Sequence, residues 1–210
     1  MIDVGRVIGA TTRELTTREY QGRPARVLVA TRTYDTTQQD LWDALTNPER
    51  IPRWFLPLEG DLRLGGRYQL KGNAGGEIVA CDPPRQLSLT WETQGQVSWV
   101  NVDLSSSPSG GSELRLEHIA HVPDDLWDRF GPGAVGVGWD SALLGLDRHV
   151  AGDRTLDPKT AIAWLMSEEG KAFIRESSDA WCPASIADGA DAVSARAAAE
   201  RTRAAYTGEA

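Results

Sequence analysis

Hydrophobic and polar residues alternate along much of the first two thirds of the chain, and this alternation predicts β-strands. The segment 26–34, RVLVATRTY, is rich in β-branched residues and predicts the first strand. Later strands are predicted at 61–64, 67–70, 75–81, 87–92, 97–106 and 113–122, with Gly65-Gly66 as a hairpin turn. Their connections are too short for parallel crossovers, so the pattern indicates antiparallel pairing.

Helical spacing appears before and after this run of strands. Thr36 and Gln39 have the spacing of a capping box, and a short second helix from Asn47 to Pro52 is expected to deliver Trp54 and Phe55 into a loop. A short helix is predicted at 124–130. Apolar residues at positions 135, 139, 142, 143, 146 and 150 predict a long helix. Segregated strands and helices favour the α+β class, with a curved antiparallel sheet wrapped around the long helix.

The rest of the chain is helical and rich in alanine. It contains too few large apolar residues for a core of its own, so we expect it to pack on the first domain or across a homodimer contact. The predicted organisation is a domain at 1–152 with an N-terminal arm, followed by a helical extension at 153–210. The role of that extension is left open.

Net charge, cysteine spacing and the length of apolar segments exclude several classes of binding partner and cofactor. A formal net charge of −8 argues against nucleic acid and anionic membrane surfaces, which need clustered Lys and Arg. Cys81 and Cys182 form no Cys-x-x-Cys pair, and no segment approaches ~20 apolar residues. No signal peptide is recognisable, and we expect a cytoplasmic protein without metal or cofactor.

The segment GPGAVGVGWD, 131–140, contains the Gly-x-Gly-x-x-Gly spacing of dinucleotide-binding proteins. That motif requires a strand directly before it, whereas the preceding segment here is predicted to be helical. A steric role is favoured instead. Gly136 and Gly138 would let the long helix pass close to another backbone or cover a cavity, which Trp139 would help to close.

Several segments together resemble a known protein group. LWDALTNPERIPRWFLP, GDLRLGGRYQL, GGEIVACDPPRQLSLTWE, LRLEHIAH and GWDSALLGL follow one another in the order found in SRPBCC (START-like) proteins. Over residues 26–150 they resemble the branch named after the C-terminal domain of the activator of the 90-kDa heat-shock-protein ATPase. The resemblance implies a helix-grip fold with a hydrophobic cavity between the sheet and the long helix. It also implies binding of small apolar or amphipathic molecules, with no shared catalytic set.

Alternation and this resemblance together select candidate residues. His118 shares a strand face with Leu114 and Leu116, and the family carries a histidine at the matching place. His121 falls on the opposite face, so the two histidines are not expected to share a metal ion. The predicted ligand-binding residues are Trp54, Phe55, Tyr68, Trp91, Leu116, His118, Trp139 and Leu143.

Three functions remain open, of which ligand binding is favoured. The second is an enzyme, resembling a polyketide cyclase or a hydrolase, with His118 as acid or base. No nucleophile elbow, His-Glu-x-x-His or P-loop motif supports it, and no catalytic residue is assigned. The third is a chaperone-linked role in the stress response. It is disfavoured because the asparagine- and tryptophan-rich motif of the eukaryotic activators does not precede residue 26.

Overall fold

The structure is a computed structural model that describes residues 2–153 and 158–209. Residues 154–157, at the start of the predicted extension, lie outside the described residues. The helices are α1 (Val4–Gly9), α2 (Gln38–Thr46), α3 (Asp124–Phe130), α4 (Gly133–Val150), α5 (Pro158–Leu165), α6 (Glu168–Ala180), α7 (Cys182–Ala187) and α8 (Ala192–Thr207), with a 3-10 helix at Ile51–Arg53. The strands are β1 (Thr11–Tyr20), β2 (Arg23–Tyr34), β3 (Leu58–Gly60), β4 (Arg67–Leu70), β5 (Gly75–Asp82), β6 (Gln86–Thr93), β7 (Gln96–Ser106) and β8 (Ser112–Ala120).

The strands form an eight-stranded sheet in the order β1-β2-β8-β7-β6-β5-β4-β3. From β8 to β3 every neighbouring pair is antiparallel. The predicted α+β class and antiparallel pairing are therefore confirmed. The long helix is also confirmed, as α4.

The residues of the chain form two compact units, each of which has most of its contacts within itself. The helical unit comprises Met1–Ala30, His121–Leu144 and Lys159–Ala210. The sheet unit comprises Thr31–Ala120 and Gly145–Pro158. The predicted boundary at 152/153 separates a domain from an extension packed on it, and it stays a prediction.

A buried ion pair links three segments of the helical unit. Arg13 on β1 donates to both carboxylate oxygens of Asp140 on α4, at 3.0 and 3.3 Å, and the two side chains are only 6% and 2% exposed. On α6, Ser177 Oγ donates to the same carboxylate at 2.5 Å, and Trp181 Nε1, just beyond that helix, donates at 3.2 Å. Burial raises the pKa of Asp140, while Arg13 and the other donors oppose the rise. The extension therefore packs on α4 through polar as well as apolar contacts.

The glycine motif contacts the extension instead of forming a phosphate cradle. A Cβ atom on Gly136 would overlap the indole of Trp181, and one on Gly133 would lie 3.2 Å from Thr202 Cγ2. The segment before the motif is helix α3, so the strand needed by a dinucleotide site is not there. The steric interpretation is confirmed at Gly136, with a side chain rather than a backbone as the neighbour. It is wrong at Gly138, whose Cβ would meet only Tyr206 Oη at 3.6 Å.

Three local predictions were wrong in detail. The short helix predicted from Asn47 to Pro52 is a 3-10 helix at Ile51–Arg53. The N-cap of α2 is Thr37, which accepts from Asp40 N at 3.2 Å, one residue after the predicted Thr36. The strand predicted at 61–64 is a connection, and the hairpin pairs β3 with β4. Gly65 N donates to Ile78 O and Ile78 N donates to Gly66 O, so the two glycines bring this connection against β5.

Two N-terminal elements, α1 and β1, were missed. β1 exposes most of its residues and lies at one edge of the sheet, so its sequence lacks the apolar alternation that identifies a half-buried strand.

Candidate ligand-binding site

Strand register defines the inward face of the sheet unit. Leu89, Val100 and His118 lie directly opposite one another on β6, β7 and β8, and we call the side that carries them the inward face. Because side chains alternate along a strand, Trp91, Ser98 and Leu116 point to the same side. The predicted inward orientation of Trp91, Leu116 and His118 therefore agrees with the register.

An aromatic cluster forms at the β4 to β6 part of this face. Buried Tyr68, Leu70 and Ile78 pack against half-buried Phe55 and Trp91. The rings of Tyr68 and Trp91 have centroids 6.5 Å apart and planes tilted by 49°. Tyr68 Oη donates to Thr90 O at 2.8 Å, and burial raises the pKa of the Tyr68 phenol, so this group stays a neutral donor. The structure thus brings together three of the predicted residues, which are far apart in sequence.

Trp54 extends the cluster and is fixed from two sides. Its ring stacks on Phe55 with a centroid distance of 5.4 Å, and its Nε1 donates to Ala44 O at 3.0 Å. A Cβ atom on Gly145 of α4 would lie 2.5 Å from Trp54 O, so this glycine permits the close approach of the Trp54 backbone. Both rings remain half-buried, which leaves apolar surface available to a ligand.

His118 is part of a hydrogen-bonded chain on the inward face. Its Nε2 lies 2.8 Å from Ser98 Oγ, and Ser98 Oγ donates to Trp91 O at 3.1 Å. A serine hydroxyl has a single hydrogen, so satisfying both contacts requires Nε2–H of His118 to donate to Ser98. His118 is therefore placed as a hydrogen-bond donor through Nε2.

Burial controls the protonation of His118. The side chain is 7% exposed, and desolvation of the charged form lowers its pKa from 6.5 to about 4. The imidazole is consequently uncharged across the physiological pH range.

This lowered pKa predicts acid sensitivity. The unfolded state binds a proton at His118 more tightly than the folded state, so the stabilising contribution is present above pH 6.5 and is lost as the pH falls toward 4. We expect the free energy of unfolding to fall by about 2 kcal/mol between neutral pH and about pH 5 from this group alone. Urea unfolding of the wild type and of His118→Gln at both pH values would isolate the contribution. Equal pH dependence in the two proteins would contradict the expectation.

The other predicted residues are distributed between the units. Leu116 is buried opposite Val102, two residues from His118 on the inward face. Trp139 and Leu143 belong to the part of α4 within the helical unit, where Trp139 is half-buried and Leu143 is buried. The sheet unit therefore holds Trp54, Phe55, Tyr68, Trp91, Leu116 and His118. The assignment of these eight residues to a ligand stays a prediction.

Sequence reasoning missed two polar features of the sheet unit. Ser98 shares the alternation of Val100 and Val102, and a small hydroxyl at an inward position could have suggested a partner for His118. Arg32 is 5% exposed and bonds Asp147 of α4 at 3.1 Å. Its charge within the apolar segment RVLVATRTY was the available signal for a buried ion pair.

No cluster of three or more His, Cys, Asp or Glu side chains suited to a metal ion occurs among the described residues. Within the same residues, none of the helices combines the length and hydropathy needed to span a bilayer.

Comparison with known proteins adds three findings. Residues 35–151 match the model of the family described as activator of Hsp90 ATPase homolog 1-like protein. The chain is 34% identical to CalU16 from Micromonospora echinospora, whose solution structure superposes with a TM-score of 0.69 and whose crystal structure gives 0.67. The solution-structure alignment covers 86% of this chain and 97% of CalU16. No curated protein matches the sequence.

A second solved structure, MLL2253 from Mesorhizobium loti, is 25% identical and has a TM-score of 0.53. Its alignment covers 60% of this chain and 98% of the other. The likeness to CalU16 extends over most of both chains. The helix-grip fold expected from the sequence is thus confirmed.

Proposed function

This chain belongs to the family of activator of Hsp90 ATPase homolog 1-like proteins, and we propose that its sheet unit binds a small hydrophobic or amphipathic molecule on the inward face. The observation that supports this most directly is the aromatic cluster, in which Phe55 and Trp91 remain half-buried against buried Tyr68, and half-buried Trp54 stacks on Phe55. Binding sites for small molecules combine apolar and aromatic walls with a few placed polar groups. Ser98 and His118 supply such groups beside Trp91.

A cavity enzyme with His118 as acid or base receives less support. The 2.8 Å contact between His118 and Ser98 has the spacing of a base and a nucleophile. However, an imidazole whose pKa is about 4 is a weak base near neutral pH, and the Ser98 hydroxyl donates to Trp91 O. This arrangement suits orientation of a ligand better than proton abstraction.

A cytoplasmic location and a homodimer also stay predictions.

The proposal is tested by removing the Trp91 side chain. A neutral fluorescent probe such as N-phenyl-1-naphthylamine is expected to bind the wild type, and Trp91→Ala is expected to weaken binding by about tenfold, because a stacking surface worth about 1 kcal/mol or more is lost. Fluorescence titration gives the Kd. The matched control is Val79→Ala, which shortens an exposed side chain on neighbouring β5. Absence of probe binding by the folded wild type, or equal Kd values for wild type and Trp91→Ala, would contradict the proposal.

A further inference from the structure

Four charged side chains on strands β4 to β8 lie on the face of the sheet opposite the aromatic cluster. Arg67 pairs with Glu92 at 2.6 Å, and Arg115 pairs with Glu117 at 3.1 Å. Each of these residues is adjacent in sequence to an inward residue, so alternation turns all four to the opposite face of the sheet. Arg67 and Arg115, the cations nearest in sequence to Tyr68 and His118, therefore do not present a positive charge to the inward face.

The polar groups of Tyr68, Ser98 and His118, which lie beside the cluster, are uncharged. Tyr68 Oη donates to Thr90 O, and Ser98 accepts from His118 while donating to Trp91 O. The pKa shifts agree with this geometry, because burial lowers the pKa of His118 and raises that of Tyr68, and each change favours the neutral form.

Two arginines of the sheet unit that are buried or mostly buried already pair with carboxylates of the protein. The Arg32 guanidinium, 5% exposed, bonds the Asp147 carboxylate at 3.1 Å. Arg50, mostly buried, bonds Asp40 and Asp43 at 2.7 and 2.9 Å. An anionic ligand would have to compete with these carboxylates for a positive charge.

We propose that the ligand of the inward face is an uncharged aromatic molecule carrying a hydroxyl or amide N–H donor, and that a carboxylate of the same shape is rejected. This inference rests on the proposed function, since it names the chemical class taken by the same site. An aromatic ring matches the Trp91 and Phe55 surfaces. Ser98 Oγ donates its hydrogen to Trp91 O and accepts from His118, so its second lone pair can accept from a ligand O–H or N–H. A carboxylate would lose its hydration against apolar side chains, and Arg32, Arg50, Arg67 and Arg115 already pair with carboxylates of the protein, which makes its burial unfavourable.

The test compares 2-naphthamide with 2-naphthoate, two molecules of nearly equal shape that differ by one charge. Isothermal titration calorimetry of the full chain near neutral pH is expected to give a Kd for 2-naphthamide at least about tenfold lower than for 2-naphthoate. Ser98→Ala is expected to weaken 2-naphthamide severalfold while leaving unsubstituted naphthalene unchanged. That second measurement would assign the contact of the amide N–H to Ser98.

The outcomes separate this inference from the function on which it rests. Equal or tighter binding of 2-naphthoate would overturn the neutral-ligand inference while leaving ligand binding intact. Binding of naphthalene with no preference between the two derivatives, or no effect of Ser98→Ala, would likewise overturn it. If none of the three molecules binds the folded protein, the proposed function itself fails. Retention of the Ser98→Ala fold, checked by circular dichroism, makes the comparison valid.

Discussion

Replacing Asp140 by alanine is expected to lower the free energy of unfolding by about 3–5 kcal/mol, the largest single effect anticipated for this chain. The carboxylate accepts hydrogen bonds from Arg13, Ser177 and Trp181, and its side chain is 2% exposed. Without it, the buried Arg13 guanidinium loses its counter-charge, and the serine and indole donors lose their acceptor. Urea unfolding followed by circular dichroism measures the change.

Two variants show whether the missing charge is responsible. Asp128→Ala removes an exposed carboxylate from α3 in the same unit and is expected to change stability by less than about 0.5 kcal/mol. The double variant Arg13→Met/Asp140→Leu removes both charges, and it should recover a substantial part of the loss because no unpaired ion remains buried. A loss below about 1 kcal/mol for Asp140→Ala would show that the ion pair is not a major stabilising contact.

Gly136→Ala is expected to destabilise the protein by about 3 kcal/mol, although alanine is the better helix former. The added methyl group would overlap the indole of Trp181, which is 1% exposed, so the indole would have to shift from its position. Displacement of the indole would also break its 3.2 Å hydrogen bond to Asp140, one helical turn further along α4. Both the overpacking and the lost bond to a charged group lower the free energy of unfolding.

The same helix supplies the control. A Cβ atom on Gly138 would lie 3.6 Å from Tyr206 Oη, an ordinary contact. Gly138→Ala is therefore expected to leave stability unchanged or to raise it by up to about 1 kcal/mol through helix propensity. Similar unfolding free energies for the two alanine variants would mean that the Trp181 contact does not determine the need for glycine at 136.

The candidate site was predictable where it depends on alternation. Leu89 and Trp91 on one strand, and Leu116 and His118 on another, were assigned to one face from their two-residue spacing, and the register agrees. The contact between Ser98 and His118 was not predictable, because it joins two strands diagonally and depends on their register. The neutral state of His118 follows from its burial, which no local pattern reports.

Glycine shows the same division between local and tertiary information. The sequence indicated that Gly136 serves packing, since the preceding helix excludes a dinucleotide motif. It did not indicate which residue packs there. Trp181 lies far along the chain, and only the tertiary contact identifies it. Likewise, β1 escaped prediction because an exposed edge strand carries no strong hydrophobic period.

The sequence by itself determined the α+β class, the antiparallel strands and the long helix α4, because hydrophobic periodicity and short connections are local properties of the chain. It also carried the family resemblance that the comparisons later confirmed. Only the tertiary structure decided that Asp140 and Arg13 form a buried pair, that Trp181 occupies the space above Gly136 and that Ser98 holds His118. Burial, ionisation and hydrogen-bond partners arise when distant segments exclude water together, and for that reason they are properties of the folded chain.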